Sequence, residues 1–232
     1  VEPGRYVRPG GEDARAGERV LEAGRLVTSG VIGLAAATGH VQVFVHRRPA
    51  VTLVATGDEL REPDRYDDVV LGRGIPESNT PMLAAMVRDA GGMVSGATIA
   101  RDDEQDLGQQ IDEAGDADVL VTIGGASLGE ADLVKRVLDD RGFKQDFWRV
   151  GMRPGSPFSY GFLRRGSRNQ PIFGLPVNPA SAFVTFELFV RPFLLRLAGH
   201  TRCFRPSVAC VATEPLRGPQ NLAAYLRVSL DR

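Results

Sequence analysis

Val119-Leu120-Val121-Thr122-Ile123-Gly124-Gly125-Ala126-Ser127-Leu128-Gly129-Glu130-Ala131-Asp132 passes from a near-continuous apolar run through a glycine-rich turn into the start of a helix that reaches Asp139. An apolar run without polar alternation marks a strand buried on both faces. In the turn, successive backbone N–H groups can point at a phosphate, Ser127 adds a hydroxyl donor, and the helix contributes its positive end. The spacing is neither G-x-G-x-x-G nor the Walker lysine pattern, so a dinucleotide or P-loop NTPase assignment is unsupported. Asp132, at the helix start, reads either as a cap or as a carboxylate facing a metal or ligand.

The same strand-then-helix rhythm extends in both directions. Upstream lie an apolar run at Val51–Ala55, a helical pattern at Thr80–Ala90 closed by Gly91-Gly92, a strand-like run at Met93–Ile99 and a helix over Glu104–Ala114. Downstream, after a Pro-, Gly- and Arg-containing tract at Phe143–Tyr160, come a short strand at Pro171–Leu175 and a long apolar helix at Ala180–Leu197 that Pro192 should kink. Alternation of this kind predicts an α/β fold, a central mostly parallel sheet with helices on both faces. Sheets so built bind ligands beyond the carboxyl ends of their strands.

The flanks read differently. Residues 1–47 suggest the linking segment of a preceding domain, with a helix at Ser29–Thr38 capped by Ser29 and stopped by Gly39, then an alternating strand at Val41–Val45. Arg47-Arg48-Pro49 punctuates it, because proline cannot continue a central strand. Residues 48–198 form the α/β domain, and 199–232, with short alternating runs at Ser207–Ala212 and Ala223–Ser229, start a C-terminal β domain. Both ends of the chain look cut from something longer.

With 232 residues, 43% hydrophobic and 25% charged, the chain has the balance of a globular protein folding in water. Its formal charge of -1, from 28 Lys and Arg against 29 Asp and Glu, leaves no global field for a nucleic-acid backbone. An anionic guest must therefore be met locally. Cys203 and Cys210 have no zinc-ligand spacing and read as free thiols. No apolar stretch approaches bilayer length and no secretory signal opens the chain, so a cytoplasmic location without membrane or nucleic-acid partners is expected.

Further loops follow the strands. Thr56-Gly57-Asp58-Glu59 sets two carboxylates beside a turning glycine, suited either to a divalent cation or to a solvated helix start. In Arg101-Asp102-Asp103 one aspartate suffices to cap the next helix, and the other is a candidate metal ligand. Trp148-Arg149-Val150-Gly151-Met152-Arg153-Pro154-Gly155-Ser156-Pro157 presents two guanidinium forks suited to oxyanions, in an environment that Phe147, Phe158 and Tyr160 should make packed rather than open. Gly174-Leu175-Pro176-Val177-Asn178-Pro179-Ala180-Ser181 leads into the long helix, whose orphan N–H groups can meet an anion.

These loops, in this order, resemble the MoeA/gephyrin family of molybdopterin molybdenumtransferases. The resemblance is carried by the Gly11-Glu12-Asp13 turn, Arg47-Arg48-Pro49, Ala55 to Leu60, Glu77-Ser78-Asn79, Arg101-Asp102-Asp103, Gly124 to Asp132, Met152-Arg153-Pro154-Gly155, Phe173 to Pro176, and Asn178 through Pro192. It implies the molybdopterin-binding fold in a truncated, divergent member of a homodimeric, multi-domain family. It further implies an adenylylated molybdopterin substrate, Mg2+ and molybdate, release of AMP, and an adenylyltransferase as possible partner.

Carried over residue by residue, the resemblance makes Asp58, Glu59 and Asp102 the metal carboxylates. It makes Thr56, Gly57, Ser78, Asn79, Gly124, Gly125, Ser127, Gly129, Pro176 and Asn178 the ligand-binding residues, and Asp132, Arg149, Arg153 and Ser181 the catalytic set. Departures stand at Arg149 and Arg153, where the family usually has lysines, at Ser156 for a further lysine, and at Val177 for a glycine. They keep two other readings in play: a catalytically impaired molybdopterin-binding scaffold, and the related molybdopterin adenylyltransferase. Tungstate in place of molybdate is a further option.

Overall fold

In the computed structural model, which describes residues 3–124, 131–216, 218–219 and 221–229, the central strands are buried on both sides. Strand β1 (Ala50–Thr56) leads through β2 (Leu60–Arg61), α2 (Tyr66–Val70) and β3 (Ile75–Pro76) to helix α3 (Asn79–Asp89), all of them preceded by α1 (Ser29–Ala37). Strand β4 (Met93–Ala100), α4 (Glu104–Glu113), β5 (Val119–Ile123) and α5 (Ala131–Asp139) follow. The second half comprises β6 (Lys144–Trp148), β7 (Met152–Arg153), β8 (Ser159–Arg165), β9 (Arg168–Leu175), α6 (Pro179–Thr185), α7 (Arg191–Leu197) and β10 (Ala223–Ala224). Among the described residues no helix is long and apolar enough to cross a membrane.

The main sheet runs β4-β1-β5-β9-β8-β6. Its β4, β1, β5 and β9 pair in parallel, whereas β8 and β6 add antiparallel. Alternate residues of β1 and β5 feed opposite cores. Val51, Leu53, Ala55, Val119, Val121 and Ile123 pack with Leu83 and Val87 of α3 and with Phe186, Val190 and Leu194; Val54 and Leu120 pack with Leu107 and Ile111 of α4 and Val134 and Val137 of α5. Leu83→Ala would cost about 2–5 kcal/mol, the combined transfer and cavity terms for a side chain with no exposed surface.

Several expectations are corrected. The cap of α1 is Thr28, whose hydroxyl accepts from the Val31 N–H, rather than Ser29. Gly39 does stop the helix: at φ +79 it lets its own N–H bond to Ala36 and that of His40 to Ala35. Val41–Val45 forms no strand; its side chains stand exposed, and alternation alone cannot hold a strand that lacks a ladder partner among the described residues. Ser207–Ala212 likewise forms none, and of the Ala223–Ser229 run only β10 pairs, against β7. The tract Phe143–Tyr160, to which the sequence assigns no element, supplies β6, β7 and the start of β8.

At Pro192 the chain absorbs the missing N–H without ending the helix. A π-helical turn, Phe186–Val190, joins α6 to α7, so the wider turn falls just ahead of the proline.

Candidate functional site

The parallel pairing brings the carboxyl ends of β4, β1, β5 and β9 side by side, and each carries a loop expected to bear chemistry. At the β4–β1 corner, Gly57 is buried at φ +146, and a Cβ there would lie 2.9 Å from the Glu59 carboxylate folded over it. Its N–H donates to the Ala100 carbonyl at 3.3 Å, tying the two strand ends together. The Asp58 N–H donates to Asp102 Oδ2 at 3.2 Å and the Asp102 N–H to Asp58 Oδ1 at 3.3 Å. Two like-charged, exposed carboxylates are thus held beside each other by reciprocal backbone bonds.

Asp103 takes the capping role, accepting from the Gln105 and Asp106 N–H groups at 2.9 Å each, which leaves Asp102 to the loop pair. Among the described residues, no group of three or more His, Cys, Asp or Glu side chains is arranged to hold a metal ion, so Glu59 does not complete a trio with Asp58 and Asp102. The pair nonetheless fits magnesium, a hard cation commonly held by one or two carboxylates plus phosphate oxygens of the substrate.

In the middle of the rim, Gly124 sits at φ +107, where a Cβ would come 2.5 Å from Thr56 Oγ1 and 3.5 Å from Val177 Cγ1. Only glycine lets the ends of β1 and β5 and the loop after β9 meet this closely. Asn79, 8% exposed, donates from Nδ2 to the Val177 carbonyl at 2.7 Å, while its Oδ1 has no partner. Glu77, absent from the expected site set, is buried and accepts from the Asn79 and Thr80 N–H groups at 2.9 Å each, capping α3. A carboxylate just ahead of a helical pattern was its signal. Ser78 is exposed and makes no capping bond. Gly125, Ser127 and Gly129, together with the Asp132 side chain, lie outside the described residues.

The basic end stands on the second half of the sheet. Trp148 is opposite Ser159, and Ser159 is opposite Gly174, so Arg149 emerges at the same end as Leu175-Pro176. Arg149 adopts φ +68, a conformation that costs an L-residue about 1–2 kcal/mol. Its N–H donates to the Phe158 carbonyl at 2.9 Å, and its guanidinium lies over the Trp148 ring, 4.2 Å from the centroid.

The Arg153 loop rests against α6, because a Cβ at Gly155 (φ +100) would lie 2.6 Å from Thr185 Cγ2 and 3.6 Å from the Ser181 carbonyl. Arg153 and Ser181 therefore belong to one neighbourhood. Asn178 Oδ1 accepts from the Ala180 and Ser181 N–H groups at 3.0 and 3.3 Å. These donors, expected to be open to an anion, are occupied by the cap. Pro176 is buried behind them.

Behind the arginines, Phe158 stacks on Phe189 with centroids 4.5 Å apart, and Tyr160 packs on Phe173 at 4.9 Å. Burial, and secondarily the nearby Asp146 charge, hold the Tyr160 hydroxyl above its ordinary pKa. The packed surroundings expected here exist for Phe158 and Tyr160, whereas Phe147 and Trp148 are nearly half exposed. With neighbouring strands about 4.8 Å apart, the acidic corner at β1 and the β6 arginine are separated by roughly 19 Å across the rim. That span suits an elongated guest with phosphate at one end and an oxyanion at the other.

Residues 52–196 match the family model described as "Probable molybdopterin binding domain". The chain is 39% identical over 236 residues to molybdopterin molybdenumtransferase 2 of Mycobacterium tuberculosis, covering 99% of this chain and 56% of that protein. A molybdopterin molybdenumtransferase of Nostoc sp. is 35% identical over 206 residues, 88% of this chain and 46% of the relative. Among solved structures, a molybdopterin biosynthesis MoeA protein from Pyrococcus horikosii superposes with a TM-score of 0.64 at 29% identity, over 77% of this chain and 43% of that one. The chain spans about half the length of the curated relatives it matches.

Proposed function

The chain belongs to the molybdopterin molybdenumtransferase family, and from that premise we propose that its carboxyl-end rim binds adenylylated molybdopterin and serves insertion of molybdate into the dithiolene with release of AMP. The observation that carries this reading is the polarity of the rim. Paired carboxylates at Asp58 and Asp102 mark one end, and the other bears Arg149 and Arg153, which no carboxylate pairs among the described residues, unlike Arg47, Arg141, Arg165 and Arg205.

Asp58 and Asp102 would hold magnesium, which when bound supplies positive charge against the anhydride phosphates. Arg149 and Arg153 orient the tetrahedral oxyanion through their N–H forks, with Ser181 beside them. Gly124, Thr56, Gly57 and Asn79 form the floor between, where the close approach of the strand ends shapes the bed for the middle of the guest. Ser127, Gly125, Gly129, Asp132, Ser78, Pro176, Asn178 and Glu59 complete the proposed set on the family pattern. The ligand domain is assigned to residues 48–198, flanked by parts of other domains at 1–47 and 199–232. A homodimeric full-length protein, an adenylyltransferase partner and a cytoplasmic location belong to the same proposal.

Incubating the full-length protein with adenylylated molybdopterin, molybdate and magnesium should release AMP; silence under every metal condition counts against the transferase. One observation favours a binding scaffold instead: Val177, 46% exposed, stands where it meets the space at Gly124. Activity that emerges only after Ser156→Lys and Val177→Gly would identify the natural chain as the binder. ATP-dependent adenylylation of molybdopterin would overturn both.

A further inference from the structure

We propose that Trp148 is a positioning residue for Arg149: its indole face fixes the guanidinium as a preset cation at the oxyanion end of the rim. The inference rests on the reading above, in which Arg149 faces molybdate. Three observations carry it. Arg149 is the one residue between Ala50 and Leu197 described at positive φ that is not a glycine, so its backbone holds a disfavoured conformation. That conformation coincides with the guanidinium lying 4.2 Å over the Trp148 centroid. Finally, among the described residues no carboxylate neutralises the cation, whereas Arg47, Arg141 and Arg165 are all paired.

A guanidinium held over a ring face is restricted in position while its N–H donors stay available to two oxygens of a tetrahedral anion. An ammonium needs no such orientation because it is a point charge. Arginine at this position makes the ring underneath part of the recognition device, and the ligand class it serves is a tetrahedral oxyanion such as molybdate or tungstate. Trp148 itself touches no reacting atom.

The test titrates molybdate, and separately tungstate, into the full-length protein by calorimetry, with wild type, Trp148→Leu, Trp148→Phe, Arg149→Gln and the Trp148→Leu/Arg149→Gln double variant. Loss of the ring in Trp148→Leu should weaken oxyanion binding about two- to fivefold, the span expected for an exposed cation–π contact. Trp148→Phe should recover part of that loss. In the Arg149→Gln background, Trp148→Leu should have no further effect, and AMP affinity and Tm should stay unchanged throughout.

Wild-type oxyanion affinity in Trp148→Leu overturns the inference, as does an equal loss with and without Arg149, or a loss that tracks Tm and AMP binding. If the wild type binds adenylylated molybdopterin but no oxyanion, the positioning role falls and the pterin reading stands. If it binds neither, both fall.

Discussion

The two rims of the sheet carry similar residues in opposite arrangements. At the amino ends of the parallel strands the buried and half-buried polar groups are answered within the protein: Asp118 accepts two bonds from Arg47 at 2.5 Å and one from the Ala50 N–H at 2.8 Å. Asp112 is bracketed by Arg141 at 2.9–3.0 Å and Arg165 at 3.4 Å. Gln170, fully buried, donates to the carbonyls of Ala114 and Ala117 and accepts from Arg165. Hydrogen bonding to Arg141 holds the Asp112 carboxyl below its usual range, and hydrogen bonding to Arg47 does the same for Asp118. At the carboxyl ends, like charges adjoin at Asp58 and Asp102, arginines stand unpaired among the described residues, and Asn79 Oδ1 and Thr80 Oγ1 lack partners. One rim is closed by the protein's own bonds; the other leaves charges that the proposed guest would answer.

The contrast breaks most readily where the effects are largest. Arg153→Ala should lower molybdate-dependent AMP release by about a hundredfold, the scale of losing one preorganised charge-stabilising donor, and leave Tm unmoved. A matching fall in thermal stability would erase the distinction between the rims. Gln170→Leu should do the reverse, destabilising by about 2–3 kcal/mol in urea titration because buried carbonyls lose their donor. The folded remainder should bind ligand normally.

Asp118→Asn sharpens the comparison through pH. Because the folded-state pKa of Asp118 is depressed, its contribution is fully present above the unfolded value near 4 and disappears as pH falls through the folded value. The variant should melt below wild type at pH 7, and the two curves should converge only as the pH falls below the depressed folded-state value. Smallest is Asp112→Ala, about 0.5–1 kcal/mol, since its side chain is 53% exposed and water screens both arginines. A loss larger than that of Gln170→Leu would mean that the network, not the buried amide, holds this end.

Most of the fold was legible because apolar runs such as Val51–Ala55 and Val119–Ile123 are buried on both faces and leave no other reading. The antiparallel extension was not. Ser159–Arg165 is only partly buried, and its prolines and glycines upstream resemble a loop until β9 provides a ladder. Conversely, Val41–Val45 has the pattern of a strand without a partner among the described residues. In the site, local capping rules foretold that Asp102 or Asp103 would cap α4, but not that it would be Asp103, nor that Gly124 would let strand ends meet. The reciprocal bonds of Asp58 and Asp102 join residues 44 positions apart, and the grip of Asn79 on Val177 spans 98; such contacts depend on which strand ends become neighbours.

The π turn at Phe186–Val190 carries a consequence for chain length. A turn closed by i→i+5 bonding accommodates one residue more than an ordinary α turn, so removing a single residue there would leave Phe193 and Leu194 in phase with their neighbours. The same deletion anywhere else in the helix would rotate one half against the other. This connector therefore tolerates a gap at one place only, and homologous chains one residue shorter should align with their break inside those five positions.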